Sequence, residues 1–180
     1  MSVTRLLLFD NDVLFRETLG RLLESEPDLA VSAQCGAEAD ALDVLTRFPV
    51  EMVFLELEPT EEFGFEFIAA CRGAGYEGKI LVITRGLTAS SSLRALQLGA
   101  SGIFLKVRGL EGLLTAIRRV ASGQAWLEPD VIRLLASGEG HFLTDREQRV
   151  LRGVLDGLTN RRIAERMGLI QFTDLPSKSK

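Results

Sequence analysis

The sequence is poor in the residues from which metal-bound and disulfide-bonded small proteins are built. Its 180 residues include one histidine, His141, and two cysteines, Cys35 and Cys71. The cysteines lie in separate apolar segments without a Cys-x-x-Cys pair, which argues against a disulfide framework or a zinc site and for two reduced thiols. Long hydrophobic runs are missing as well, since the run at 6–9 is far shorter than the roughly 20 residues that span a membrane. Because the acidic residue Asp10 interrupts the apolar stretch that a secretory signal peptide needs, such a leader is not expected. We therefore expect a cytoplasmic protein without a membrane partner.

Net charge is small, at −4, but it is unevenly distributed. Residues 1–140 carry 13 Lys and Arg against 20 Asp and Glu, whereas residues 141–180 carry 8 against 5. An acidic first part and a basic tail indicate two domains with different partners. The small, flexible stretch Ser137–Gly140 is typical of the boundary between such domains.

The first 125 residues alternate apolar runs of strand length with amphipathic segments of helical spacing. Five strands are predicted, at Arg5–Phe9, Leu29–Gln34, Met52–Leu57, Ile80–Thr84 and Gly102–Leu105. Strands that are apolar on both faces and separated by helices indicate a parallel sheet covered by helices on each side. We therefore predict an α/β fold with a flavodoxin-like, five-stranded parallel sheet.

The remainder of the chain has a different pattern. Thr144 and Glu147 form a capping box before an apolar stripe, and a second short helix is predicted over about Asn160–Met167. Two short helices joined by a tight turn are typical of the beginning of a helix-turn-helix. The predicted domains are an α/β domain over 1–122, a linker over 123–141 and a small, incomplete all-α domain over 142–180.

Polar side chains follow the predicted strands at the edge where an open parallel sheet binds its ligands. These residues are Asp10, Asn11, Asp12, Glu56, Thr84 and Lys106. Carboxylates suit Mg²⁺, and a hydroxyl and an ammonium suit a phosphoryl oxyanion, so a weak Mg²⁺ site is expected at Asp10 and Glu56. The alternative is that these acids only cap helices and keep the loops hydrated.

Several segments resemble one known family. FDNDVLFR at 9–16, GASG at 99–102 followed by Lys106, and AIRRV at 116–120 are similar to a response-regulator receiver. GQAWL at 123–127, LTDRE at 143–147 and GLTN at 157–160 resemble the branch with a LuxR-type (NarL/FixJ-like) DNA-binding domain. The resemblance runs from residue 3 to about residue 169. It implies phosphorelay control of transcription, with a sensor kinase as partner and a helix-turn-helix homodimer on DNA.

The sequence departs from that family at the receiver pocket. Glu56 stands at the phosphoacceptor position instead of Asp, and its extra methylene would displace an acyl phosphate from Thr84 and Lys106. Asn11 replaces a metal-binding carboxylate, although Asp12 could compensate. Ile103 occupies the position of an aromatic switch residue. Because in-line phosphoryl transfer depends on positioning, we predict a receiver that ordinary Asp phosphorylation does not switch.

Two mechanisms remain open for such a receiver. In the first, Glu56 pairs with Lys106 and holds one conformer permanently, as a partial mimic of the phosphorylated form. In the second, the pocket is vestigial and another input, or none, sets its state. The replacement at Ile103 favours the second mechanism.

The family's recognition helix should follow the predicted helix at 160–167, yet Ile170–Pro176 does not resemble it, and Pro176 would break a helix there. By resemblance, about 25–30 residues of the DNA-binding domain are absent. Arg161, Arg162 and Arg166 are candidate phosphate contacts, with solvated helix charge as the alternative. The rival function is a receiver that pairs with another receiver and no longer binds DNA specifically. An enzyme is disfavoured, because the sequence has no Gly-rich phosphate loop and no nucleophile–histidine pair.

Overall fold

Each of the five predicted apolar runs is a strand in the computed structural model. The structure describes residues 3–57, 60–129, 132–133, 149, 152–153, 156, 158 and 160–168. The strands are β1 (Thr4–Phe9), β2 (Leu29–Cys35), β3 (Met52–Glu56), β4 (Lys79–Thr84) and β5 (Gly102–Leu105). Their observed ends lie within one residue of the predicted ends. All neighbouring strands are parallel, in the order β2-β1-β3-β4-β5, which confirms the flavodoxin-like sheet.

A sixth strand, which the sequence analysis placed in the linker, completes the sheet. This β6 (Trp126–Leu127) pairs in parallel with Gly102 and Ile103 of β5. The close approach depends on Gly102, since a Cβ there would lie 2.8 Å from the Trp126 carbonyl oxygen. A two-residue strand carries no apolar run or alternation, which is why the pattern gave no sign of it.

Alternate strand residues form two separate cores, one on each side of the sheet. Side chains such as Leu7, Val53, Val82 and Ile103 face one layer of helices, and Leu6, Phe54, Ile83 and Phe104 face the other. The first layer consists of α2 (Glu38–Arg47), α3 (Glu61–Gly73) and α4 (Ala89–Leu98), and the second of α1 (Val13–Glu24) and α5 (Gly109–Ala121). Because successive residues of a strand point to opposite faces, both cores follow from the two-sided apolar runs.

Two of the helices begin with a side-chain cap. The Asp12 carboxylate accepts from the Phe15 amide at 3.0 Å and caps α1. The Thr88 hydroxyl accepts from the Ser91 amide at 3.1 Å and caps α4, whose C-cap is Gly99 with a φ of 113°. A short 3₁₀ turn, Lys106–Arg108, connects β5 to α5.

Among the described residues of the C-terminal part, one helix, α6 (Asn160–Arg166), corresponds to the predicted helix at 160–167. Its Ile163 is buried and packs closely on Gly153, where a Cβ would lie 2.7 Å from Ile163 Cγ1. His141, the capping box at Thr144 and Glu147, the break at 137–140 and the segment 170–180 lie outside the described residues.

Both cysteines are buried free thiols. No helix in the described ranges is long and apolar enough to cross a membrane.

Candidate functional site

The predicted polar residues meet at the carboxyl edge of the sheet. β1 and β3 are neighbours, with Phe9 opposite Leu55, so Asp10 and Glu56 follow at the same edge as predicted. Asp10, Glu56 and Thr84 are only 8%, 6% and 2% exposed. A pocket beside them is lined by both acids and by side chains of β1, β3, β4 and α1, among them Phe15 and Arg16.

The central contact of this pocket is an ion pair between Lys106 and Glu56. Lys106 Nζ contacts Glu56 Oε2, and the two side chains are 20% and 4% exposed. Glu56 Oε1 accepts from the Leu57 amide at 3.1 Å. Lys106 Nζ also lies 4.0 Å from the centroid of the Phe15 ring, within cation–π distance. Since a buried carboxylate is costly unless it is paired, the contact with this ammonium offsets part of the cost of burying Glu56.

Asp10 is held by the backbone around it. Its Oδ1 accepts from the Asp12 amide at 2.7 Å, and the Arg16 guanidinium donates to the Asp10 carbonyl oxygen. Asp10 Oδ2 is buried without a hydrogen-bond partner in the described part of the chain. Burial raises the pKa of the Asp10 carboxyl, although the Asp12 amide and the charge of Lys106 oppose the change. The pocket therefore contains an acid whose charged form is only partly compensated.

Asn11 and Asp12 do not extend this acidic cluster. Both are exposed, and the Asp12 carboxylate is engaged as the N-cap of α1. The expectation that Asp12 compensates for Asn11 is therefore not supported by its contacts. Asp is among the preferred N-cap residues, so its place before the apolar stripe of α1 was the available sequence signal.

The described side chains of the pocket leave few oxygens for a Mg²⁺ ion. Magnesium demands near-octahedral oxygen coordination. One oxygen of Glu56 already contacts an ammonium, Asp12 caps a helix, and no group of three Asp, Glu, His or Cys suited to a metal occurs among the described residues. The weak site at Asp10 and Glu56 stays a prediction.

Thr84 is buried, but its hydroxyl serves the loop that follows β4. Thr84 Oγ1 donates to the Gly86 carbonyl oxygen at 3.2 Å and accepts from the Gly86 amide at 3.3 Å. These contacts are local and close the turn after the strand. The structure thus unites Glu56 with Lys106 and shows the Thr84 hydroxyl engaged elsewhere.

The predicted switch position, Ile103, lies inside the core. Ile103 is fully buried on the face covered by α2, α3 and α4. Phe104, the neighbouring aromatic residue, belongs to the opposite core, beneath α1 and α5. Because adjacent strand residues point to opposite faces, Phe104 cannot take over the position of Ile103.

Sequence reasoning missed Phe15 and Arg16 as lining residues. They occur in the segment that carries the family resemblance, but their contacts with Lys106 and the Asp10 carbonyl depend on how α1 lies over the edge of the sheet. An aromatic residue at the third position of a helix gives no signal of a distant lysine.

Of the candidate DNA contacts, Arg162 and Arg166 are exposed on α6. Arg166 Nη1 pairs with Asp156 Oδ2 at 3.2 Å, with 63% and 49% of the side chains exposed. The backbone of Arg161 belongs to the same helix, and its side chain lies outside the described atoms.

Two family models match the chain. The response regulator receiver domain matches residues 6–118, and the luxR family of bacterial regulatory proteins matches residues 141–173. The chain belongs to the LuxR family of response regulators. The receiver match covers the whole pocket, and the second match extends past α6 to residue 173.

Individual relatives agree with this assignment. The response regulator is 29% identical to the nitrate/nitrite response regulator protein NarP of Escherichia coli over 177 residues, covering 94% of this chain and 82% of that protein. It is 30% identical to the transcriptional regulatory protein UhpA of Escherichia coli over 164 residues, covering 90% and 81%. Among solved structures, a LuxR-family response regulator from Aurantimonas sp. SI85-9A1 aligns with a TM-score of 0.69 and 26% identity, over 77% of this chain and 99% of that one.

Proposed function

We propose that this response regulator acts in the cytoplasm as a transcription regulator whose receiver is independent of phosphorylation. The observation that carries the proposal is the ion pair between buried Glu56 and partly buried Lys106. Glu56 occupies the position where the family resemblance implies a phosphorylated Asp. In this chain, the carboxylate there is already neutralised by the protein's own ammonium.

Phosphoryl transfer to Glu56 faces a barrier of position as well as of charge. Glu56 Oε2 would have to leave Lys106 before it could attack a phosphodonor, and Glu56 Oε1 is engaged by the Leu57 amide. Transfer also depends on in-line geometry and on a cation that bridges the phosphoryl oxygens. The few available oxygen ligands around Asp10 argue against that cation.

The pair with Lys106 gives only part of the contacts of a phosphorylated receiver. A phosphoryl oxyanion would engage a hydroxyl as well as an ammonium, whereas Thr84 is bonded to Gly86. A contact shifts an equilibrium only if it differs between the two states. We therefore favour a pocket fixed in one state by Glu56, Lys106 and Phe15 over a full mimic of the phosphorylated form. Of the two mechanisms that the sequence left open, the one in which Glu56 pairs with Lys106 and holds one conformer agrees with these contacts better than a vestigial pocket does.

The C-terminal part supplies the proposed DNA contact. Residues 141–180 are its basic portion, and Arg162 and Arg166 are exposed on α6. The surface pair of Arg166 with Asp156 is worth at most about 1 kcal/mol, so a DNA phosphate can replace the aspartate at little cost. We expect binding as a homodimer, with a sensor kinase or another receiver as the protein partner.

The test is fluorescence anisotropy of labelled, pooled genomic fragments with the full chain, across a range of salt concentrations. We expect sequence-selective binding that is unchanged by a small-molecule phosphodonor and weakened in Arg162→Gln/Arg166→Gln. Each lost phosphate contact should reduce the salt slope by about 1. Arg47→Gln/Arg94→Gln removes two exposed receiver arginines and is the matched control.

Two outcomes would contradict the proposal. Affinity that rises on addition of the phosphodonor would show that phosphorylation still switches the protein. Binding without sequence preference that disappears near physiological salt would favour the rival function, a receiver that pairs with another receiver.

A further inference from the structure

The 3₁₀ turn after β5 connects two buried carboxylates. Lys106 contacts Glu56 in the pocket, and Arg108 Nε contacts Glu128 Oε2 at 2.9 Å. Val107 between them is 77% exposed. With about three residues per turn, the side chains at 106 and 108 point to different sides of the turn. One short segment thus holds an acid of the pocket and an acid of the chain that leaves the receiver.

Glu128 is an unusual residue for its position. It follows β6 directly, and its side chain is only 3% exposed. Both of its oxygens are used, because Oε2 pairs with Arg108 and Oε1 accepts from the Trp126 indole N–H at 3.2 Å. Its carbonyl oxygen accepts from the Ile132 amide at 2.9 Å, where the chain continues towards the C-terminal part. A buried carboxylate with two side-chain partners fixes the segment that carries it.

Trp126 connects this arrangement to the sheet. Its amide donates to the Ser101 carbonyl oxygen at 3.3 Å, and the Arg119 guanidinium lies 5.5 Å from its ring centroid. Arg108, Arg119, Trp126 and Glu128 together form what we call the exit cluster. Trp126 is the only tryptophan of the chain, so its indole reports on the exit cluster alone.

We propose that the turn Lys106–Arg108 couples the pocket to the exit cluster. Loosening the pair of Lys106 with Glu56 frees the turn, weakens the contact of Arg108 with Glu128 and lets β6 separate from β5. The coupling is reciprocal, so loosening the exit cluster also loosens the pocket. It rests on the ion pair of the proposed function, but not on DNA binding or on the absence of phosphorylation.

The first experiment measures hydrogen exchange of the Trp126 indole N–H by NMR in the full chain. The variant Glu56→Gln/Lys106→Met removes the pocket pair without leaving an unpaired charge at position 56. We expect exchange at least about fivefold faster than in the wild type, the lower end of typical coupling between sites. Glu62→Gln/Arg94→Met removes an exposed ion pair between α3 and α4 and should leave the rate unchanged.

The reciprocal experiment changes the exit cluster and measures hydrogen exchange in the pocket. The Leu57 amide donates to Glu56 Oε1. In Arg108→Gln/Glu128→Gln we expect its exchange to accelerate by a similar factor, since coupling is symmetric. If circular dichroism shows that the pocket variant does not fold, this second experiment decides whether the two sites are coupled.

If the pocket variant folds and its Trp126 indole N–H exchanges at a rate within twofold of the wild type, the proposal is overturned. So would unchanged Leu57 exchange in the exit variant. A phosphoryl adduct on Glu56 would overturn the proposed function instead and would leave both exchange results standing.

Discussion

The ring of Phe15 covers the ammonium of Lys106, with Nζ 4.0 Å from the ring centroid. Phe15 extends from the first turn of α1, whereas Lys106 follows β5, so two distant segments close over the pocket. The lysine is thereby enclosed between a carboxylate and an aromatic face. Because ammonium groups are attracted to such faces, Phe15 strengthens the ion pair as well as excluding water from it.

The contribution of Phe15 is testable by a change that keeps bulk but removes the ring. Phe15→Leu should lower the free energy of unfolding by about 0.5–2 kcal/mol, the range of a cation–π contact that is partly shielded from water. Urea titration measures the change, and Phe15→Tyr should retain most of the stability. Phe48→Leu, at a phenylalanine that is 57% exposed, is the matched control. Equal stability of Phe15→Leu and the wild type would show that the ring does not act on Lys106.

The ion pair itself predicts a non-additive pair of substitutions. Lys106→Met leaves Glu56 charged and buried without its cation, which should cost about 3–5 kcal/mol. Adding Glu56→Gln removes the uncompensated charge and should recover most of that loss. Chemical denaturation of the two single variants and the double variant gives the coupling energy. Additive effects would contradict a direct interaction of the two side chains.

Asp10 predicts a dependence of stability on pH. Because burial raises its pKa above the ordinary 3.8, the folded chain binds this proton more tightly than the unfolded chain. The stability from this group is therefore fully present below pH 3.8 and is lost as pH rises through the raised pKa. Asp10→Asn should have a higher Tm than the wild type at neutral pH, with a gap that closes towards pH 3.8. A lower Tm at neutral pH would mean that attraction to Lys106 outweighs the cost of burial.

Attachment of β6 depends on the small size of Gly102. In Gly102→Ala, the new Cβ would lie 2.8 Å from the Trp126 carbonyl oxygen and 3.1 Å from Leu81 Cδ1. We expect the free energy of unfolding to fall by about 1–3 kcal/mol, as at other overpacked sites, and the fluorescence emission of Trp126 to shift to the red. The control is Gly73→Ala, where nothing lies within 4 Å of the new Cβ. It should neither lower the free energy of unfolding nor shift the Trp126 emission to the red. Unshifted emission in Gly102→Ala would show that β6 tolerates displacement.

The sequence sufficed for β1 to β5 because these strands are apolar runs, whose composition and length carry the signal, whereas the two-residue β6 carries none. The same topology predicted that Asp10 and Glu56 would lie together, since neighbouring parallel strands end at one edge. The sequence did not reveal which side chains from distant segments contact each other. Arg108 and Glu128 are 20 residues apart, and Phe15 and Lys106 are farther apart still. Such pairs depend on how helices and turns lie over the sheet, which periodicity does not encode.

Measurement of the intact mass shows whether the pocket of this response regulator is closed to phosphorylation. The full chain is incubated with a small-molecule phosphodonor and Mg²⁺, in parallel with Glu56→Asp/Asn11→Asp, which restores both carboxylates that the family resemblance implies. We predict an unchanged mass for the wild type and an adduct of about 80 Da, one phosphoryl group, on the restored variant. A stable adduct on Glu56 of the wild type would show that its pocket is open to phosphorylation.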